Sequence, residues 1–369
     1  MSGSLDRGSG VARTIGGSGS RAHHKDLLSS RDGRRLRATL FGVDPGRGQT
    51  VTSPRVGVIG ARRARSGLGP FVVRELLGAG SEIPCFLSTS GRSRDETAHE
   101  LEREAGIRAR GYLDLKAMLK DEQLDALAIL SPHATHAEYL DAALEAGLHV
   151  LCEKPLVWGV EDLGALAARL TAGFVDQGLV LFENCQWPYT LAALERLHPG
   201  VLDQLPLQFQ MALWPSRRGV DMLGDSLPHP LSVLQRIAPG ENSIIEDVRF
   251  STTDPDARVT VVRFYYGVGD HRVETEVEMR PSISHPRNVR IAINGRWATR
   301  LVSARDYAIS FHSDGRSVPV DDPLPLLLGD FVKAISQSPP QPDLDQARRI
   351  AHRSKLLGEI VADFQRASE

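Results

Sequence analysis

Cysteine is scarce in this chain. There are three, Cys85, Cys152 and Cys185, and none belongs to a Cys-x-x-Cys pair. An odd, sparse set excludes a disulfide framework or a zinc site built on such pairs, and it argues for a reducing, cytoplasmic setting. Long apolar runs are also missing. None reaches the roughly 20 residues that span a bilayer, so no membrane partner is expected. Charge of one sign is not in excess: 44 basic and 46 acidic residues leave a formal net charge of −2. That removes the electrostatic case for nucleic acid or acidic lipid as a partner. Hydrophobic periodicity is absent from residues 1–54, which are rich in Gly, Ser and Arg. Such a segment cannot bury enough apolar surface and is expected to be disordered. It contains Arg34-Arg35, but the apolar stretch that follows, Ala38 to Val43, is too short for an export signal.

The rest of the chain is of a different kind. A length of 369 residues with 41% hydrophobic composition predicts two domains with a sizeable core. Arg55 to Gly60 is a short apolar run ending in glycine, as a buried first strand does, and Pro70 opens a helical pattern through Leu77. Strands at 82–89, 125–130 and 148–152 alternate with helices at 95–105, 115–119 and 137–146. This spacing predicts a doubly wound parallel sheet over 55–177. The pattern changes from residue 178 onward. After a strand at 179–182 and a short helix at 188–197, a strand at 207–214 and a helix at 225–237 precede strands in succession. Residues 272–280 alternate cleanly, with Val273, Thr275, Val277 and Met279 on one side and Glu274, Glu276 and Glu278 on the other. This is a half-buried antiparallel strand, paired with 258–266 across a glycine-rich turn. Helices at 324–336 and 343–364 close an α+β domain, 178–369, that carries a large, mainly antiparallel open sheet.

Three stretches carry the chemistry. Glu153-Lys154-Pro155 ends the strand that follows Ala146-Gly147-Leu148-His149, at the strand end where open α/β sheets bind ligands. Ser131-Pro132-His133-Ala134-Thr135-His136 follows the strand at 125–130, and Asp225-Ser226-Leu227-Pro228-His229 lies in the second domain. Each has an ordinary reading: Glu-Lys as a soluble strand end, Asp-x-x-x-His as a helix-face pair. Together, in this order, they closely resemble the Gfo/Idh/MocA oxidoreductases over residues 55–366. The resemblance implies a Rossmann-type sheet plus an open-sheet domain. It also implies an NAD- or NADP-dependent dehydrogenase or reductase acting on an alcohol or carbonyl carbon of a sugar, cyclitol or related cyclic compound. In that reading His229 is a general acid/base. Asp225 orients it or holds a substrate hydroxyl, and Lys154, before a proline bond that is often cis in the family, polarises the substrate oxygen. Ser131, Pro132, His136, Glu153 and Lys154 itself would border the cofactor, and Asn184 and Trp187 the substrate. Prolines 228 and 230 flank His229, so its helix is expected to start near it rather than run through from Asp225.

The dinucleotide loop departs from the G-x-G-x-x-G pattern. Gly60-Ala61 is followed by Arg62-Arg63-Ala64-Arg65-Ser66 and then Gly67-Leu68-Gly69. Two registers fit. In one the loop is longer, Gly67 and Gly69 take the later glycine roles before a helix N-terminus, and the arginines reach phosphates. In the other the site is degraded. The second strand ends without an acid, in Ser88-Thr89-Ser90-Gly91-Arg92, which suits a 2′-phosphate and tilts the choice to NADP, although an ordinary polar loop reads the same. Two other functions remain open: a non-catalytic sensor acting through protein partners, and NAD-assisted elimination or glycoside cleavage. A homo-oligomer through the open sheet face would have to accommodate Glu274, Glu276 and Glu278.

Overall fold

The computed structural model describes residues 53–369 apart from 63–66, 285, 286, 288, 304 and 341. The tail reading for 1–54 thus lies, but for its last two residues, outside the described residues.

The first strand, β1 (Val56–Ile59), is buried along its whole length, as a central strand covered on both faces must be. Helix α1 (Gly69–Gly78) carries Pro70 in its first turn and turns Val72, Val73 and Leu76 into the core. Strand β2 (Cys85–Leu87) leads to α2 (Gly91–Ala105), whose Ser90 cap accepts the Ser93 N–H at 3.2 Å. Then come β3 (Arg110–Tyr112), α3 (Leu115–Asp121), β4 (Ala126–Ile129), α4 (His136–Glu145), β5 (His149–Cys152), α5 (Leu163–Asp176) and β6 (Leu181–Glu183). The six strands are parallel, in the order β3-β2-β1-β4-β5-β6. The order reverses between β1 and β4, so the loops leaving these two strands part at the switch point where such sheets hold ligands. The sheet takes β6 from beyond residue 177.

Helix α6 (Leu191–Leu197), strand β7 (Gln208–Leu213) and helices α7 (Val220–Ser226) and α8 (Pro228–Ile237) connect to the second sheet. Its further strands are β8 (Ile244–Phe250), β9 (Thr260–Val268), β10 (His271–Met279), β11 (Val289–Ile293), β12 (Arg296–Val302), β13 (Ile309–Ser313) and β14 (Arg316–Val320). The order is β14-β13-β12-β11-β7-β10-β9-β8, antiparallel throughout except where β7 meets β10. In β10, Val273, Thr275, Val277 and Met279 are all buried, as their alternation requires. The opposite face is polar: Arg263 pairs with Glu276 at 2.7 Å and Arg272 with Glu246 at 3.1 Å.

Two helices then return. Helix α9 (Pro323–Ile335) packs on α1, with Phe331 edge-on to Phe182 at 5.6 Å. Helix α10 (Leu344–Ser368) runs along α5, where Gly164 lets the two backbones approach: a Cβ there would lie 3.0 Å from Lys355. Among the described residues no helix is long and apolar enough to cross a membrane.

Candidate active site

The end of β5 turns sharply after Cys152. Glu153 N–H still bonds Ile129 O at 2.9 Å, and the Lys154–Pro155 bond is cis, as the resemblance implies. From there Lys154 Nζ donates to Asp225 Oδ1 at 2.8 Å and to the Asp225 carbonyl at 2.6 Å. Residues 71 positions apart are thereby brought together, with side chains only 13% and 24% exposed. Asp225 lies in the last turn of α7 and His229 in the first turn of α8. The break at Leu227 and the proline start of α8 agree with a helix that begins near His229. Leu227, the single residue between the two helices, keeps helical backbone angles, so the interruption between Asp225 and His229 is confined to the turn before Pro228.

The electrostatics follow from this geometry. Burial alone would raise the Asp225 carboxyl, but the charge and hydrogen bond of the Lys154 ammonium outweigh it and hold the carboxyl at about 2. His229 is pushed the other way. Burial, joined by the positive charge of Lys154, holds its imidazole well below the ordinary value, and Asp225 offsets only part of this. His229 Nδ1 is buried with no hydrogen-bond partner. Near neutral pH Asp225 is thus a carboxylate bonded to Lys154 Nζ, beside a neutral His229 imidazole.

His136 is fully buried and ties two loops together. One ring nitrogen lies 2.9 Å from Ser131 O and the other 2.9 Å from Pro155 O. Burial lowers its pKa against both carbonyls. Glu153 receives the Asn184 amide, and Gln186 Nε2 donates to Asn184 Oδ1 at 2.9 Å. Burial raises the Glu153 carboxyl. Asn184 therefore already has its partners, whereas Trp187 presents its ring to Arg300, whose guanidinium carbon is 5.2 Å from the ring centroid.

The dinucleotide loop can be tested for fit. Gly60 has φ +86°, and a Cβ there would sit 2.8 Å from the Leu130 carbonyl group. At Gly69 a Cβ would come within 2.3 Å of Ala61 O. Only glycine admits the approach of α1 to the end of β1. The N-terminus of α1 has no side-chain cap and no acid in its first turn. Uncapped N–H groups at the head of a ten-residue helix, over a glycine-lined turn, fit a pyrophosphate. Gly67 stands at the edge of the described part of this loop. Arg62 is held by Glu96 of α2 at 2.5 Å, and Arg92, in the first turn of α2, reaches the same carboxylate at 2.9 Å. Arg63 and Arg65 lie outside the described residues. Ser88 is fixed by its N–H to Tyr112 O at 2.9 Å, and Thr89 is exposed.

Several residues at the site do not announce themselves in the sequence. Trp158 Nε1 donates to Asp221 Oδ1 at 3.0 Å, and its ring covers Gly224, where a Cβ would clash at 2.8 Å. His133 stands edge-on to Trp158 at 5.6 Å. Behind Lys154, the Glu183 carboxylate accepts the Leu156 N–H at 2.8 Å and the Arg353 guanidinium at 2.9 Å. Their signals are weak: a tryptophan three residues past Pro155, and single charges in apolar stretches.

The histidines give a stability prediction. Burial lowers the pKa of His133, His136, His149, His229 and His352. Between the folded values and about 6.5 the unfolded chain binds protons that the folded chain refuses, so stability falls as pH drops through that window. Glu153 and Glu359, raised by burial, act in the opposite sense. Five groups against two predict a lower urea midpoint at pH 5.5 than at pH 7.5; an unchanged or higher midpoint would contradict the assignment.

The family model described as an oxidoreductase family with an NAD-binding Rossmann fold matches residues 54–173. D-xylose 1-dehydrogenase (NADP(+)) 2 of Haloferax volcanii is 37% identical over 108 residues, 29% of each chain. A dTDP-3,4-didehydro-2,6-dideoxy-alpha-D-glucose 3-reductase of Actinomadura kijaniata is 33% identical over 156 residues, 41% of this chain and 43% of the relative. These matches span less than half the length of the curated relatives. Among solved structures, UDP-N-acetylglucosamine 3-dehydrogenase from Acidithiobacillus ferrooxidans superposes with a TM-score of 0.59 at 22% identity, covering 85% of this chain and 99% of that one. A 3-ketoreductase from Actinomadura kijaniata in complex with NADP gives 0.61 at 20% identity, over 83% and 96%. At these identities the two structures establish the fold.

Proposed function

We propose, for a chain whose residues 54–173 belong to the Gfo/Idh/MocA oxidoreductases with their NAD-binding Rossmann fold, that it is an NAD(P)-dependent dehydrogenase or reductase of a small sugar, cyclitol or related cyclic compound. The observation that carries this reading is the Lys154–Asp225 pair at the carboxyl end of β5, beside His229. Bound NAD or NADP would supply the hydride acceptor or donor.

Oxidation removes a hydride from the substrate carbon and a proton from its hydroxyl, leaving a carbonyl. Lys154, positioned by its hydrogen bond to Asp225, donates a hydrogen bond to that oxygen and stabilises the negative charge that develops on it. Asp225, with its carboxyl at about 2, orients the ammonium and is too weak a base to take the proton itself. His229, held neutral, has an unprotonated ring nitrogen to receive it and gives it back in the reverse direction. The glycine-lined turn and the α1 N-terminus would hold the pyrophosphate. Ser88, Thr89 and Arg92 stand at the end of β2, where a ribose 2′-phosphate would lie, and they favour NADP. Three buried free thiols fit a cytoplasmic setting.

Titration of reduced nicotinamide fluorescence tests the reading. Both NADPH and NADH should change the signal, NADPH at the lower concentration. No binding of either at millimolar concentration sinks it.

A further inference from the structure

Arg300 stands where the fold calls for an apolar side chain. On β12 it alternates with buried Ala298, on the face turned into the protein, and its cross-strand neighbours Val289 and Phe311 are 5% and 0% exposed. Its Nε is buried with no hydrogen-bond partner, and its Nη2 makes one long contact, 3.4 Å to Arg287 O. The guanidinium lies over the Trp187 ring. Burial lowers its pKa to about 10, and the distant charge of Asp322 offsets only part of that.

A cation taken out of water ordinarily has an anion beside it. Three cations press down on His229: Lys154, Arg300 and Arg353. Lys154 has the Asp225 carboxylate and Arg353 has that of Glu183. Among the described residues Arg300 has none within ion-pair distance. It is nonetheless near enough to the reaction centre for its charge to act on His229, and the charge of Arg287 likewise acts on Asp225.

We propose that Arg300 is a substrate-binding residue and that the substrate of this site carries an anionic group, a carboxylate or a phosphate, on its polyhydroxylated ring. The inference rests on the oxidoreductase reading of the same site. The planar fork of an arginine matches either oxyanion bidentately, and stacking on Trp187 fixes the plane of that fork before the ligand arrives. The anion docks on Arg300, and the ring beyond it is left to present a hydroxyl to Lys154 and His229.

Calorimetric binding to the full chain, with saturating NADP+ and again without cofactor, tests this with D-glucose, D-glucuronate and D-glucose 6-phosphate. One of the charged sugars is expected to bind at least about tenfold more tightly than glucose, and which one does so identifies the oxyanion. Arg300→Met should abolish that preference and leave NADPH affinity unchanged. Its melting temperature should stay level or rise, because methionine replaces a half-buried charge with no anion beside it, on the inner face of a strand. Equal binding of all three sugars, binding of neither charged sugar, or a preference that survives Arg300→Met overturns the proposal. So does a lower melting temperature, the mark of a merely structural arginine. Failure of the wild type to bind NADPH overturns the oxidoreductase reading instead, and the cofactor-free titration still decides the role of Arg300.

Discussion

Lys154→Ala is expected to lower kcat on the order of 10²–10³-fold, the cost of removing one preorganised donor to a developing oxyanion, with NADPH affinity nearly unchanged. The separation arises because the Lys154 side chain is engaged with Asp225, whereas the pyrophosphate is assigned to the α1 turn. Lys154→Arg should fare little better. A guanidinium is longer and planar, and it cannot reproduce one nitrogen that bonds both Asp225 Oδ1 and the Asp225 carbonyl, at 2.8 Å and 2.6 Å. The pH profile gives a second readout. Without the ammonium, Asp225 loses the largest influence that holds its carboxyl at about 2 and rises under burial, with His229 and Arg287 opposing part of the rise. His229 loses one of the charges that depress it and also rises. Any residual activity that depends on neutral His229 should therefore have its acid limb shifted to higher pH. Steady-state kinetics over pH 5–9 check both outcomes, and a variant that keeps wild-type kcat with an unshifted acid limb would remove Lys154 from the reaction centre.

The approach of Lys154 to Asp225 was legible in the sequence to the extent that local rules and the order of the stretches along the chain agree. A buried strand ending in Glu153-Lys154-Pro155 and a proline-flanked His229 each constrain the backbone nearby. Elements with weaker local signals were harder to read. Strand β3 is three residues long with one buried position, so it shows no periodicity of its own. Helix α5 has a pattern of its own, with Leu163, Ala167, Leu170, Thr171 and Phe174 buried at helical spacing behind an Asp162 cap, although no element is assigned there from the sequence. The parallel pairing of β7 with β10 joins segments far apart in sequence, which local alternation cannot encode. Arg300 is the most instructive case. The alternation of β12 cannot be phased from its own residues, because Trp297, Thr299, Arg300 and Val302 are all half-buried. Only the buried neighbours across the ladder reveal that the arginine faces inward. The glycine turn is a mixed case. Gly60 and Gly69 stand where a dinucleotide turn needs them, and Arg92 pairs with Glu96 at ordinary i,i+4 helix spacing, while the second partner of Glu96, Arg62, is one that sequence spacing does not indicate.

The second large effect is on stability. Glu183 and Arg353 form an ion pair whose side chains are 2% and 8% exposed, joining β6 to α10. Arg353 donates to Glu183 from Nε at 2.9 Å and from Nη2, and its Nη1 reaches Gln235 Oε1 at 2.6 Å. The second carboxylate oxygen of Glu183 accepts the Leu156 N–H at 2.8 Å, one residue past Pro155. Glu183→Leu leaves a buried guanidinium without its anion and with Gln235 as its remaining side-chain acceptor, and a buried N–H without an acceptor; Arg353→Met leaves a buried carboxylate without its cation. Each single change is expected to cost roughly 3–5 kcal/mol, as breaking one side of a buried pair does. The double variant should cost clearly less than the sum, because neither charge is then stranded, and the cycle isolates the pair from the residues around it. Glu183→Gln separates the two functions of the carboxylate. It keeps an acceptor for Leu156 N–H while removing the charge facing Arg353, so it should lose stability yet hold the backbone beside Lys154 better than Glu183→Leu. Urea midpoints at constant m-value measure the first effect. NADPH-dependent kcat of the folded fraction measures the second, with Glu183→Gln expected above Glu183→Leu. Additive single costs, or equal kcat in the two Glu183 variants, would show that the pair only fills space between β6 and α10.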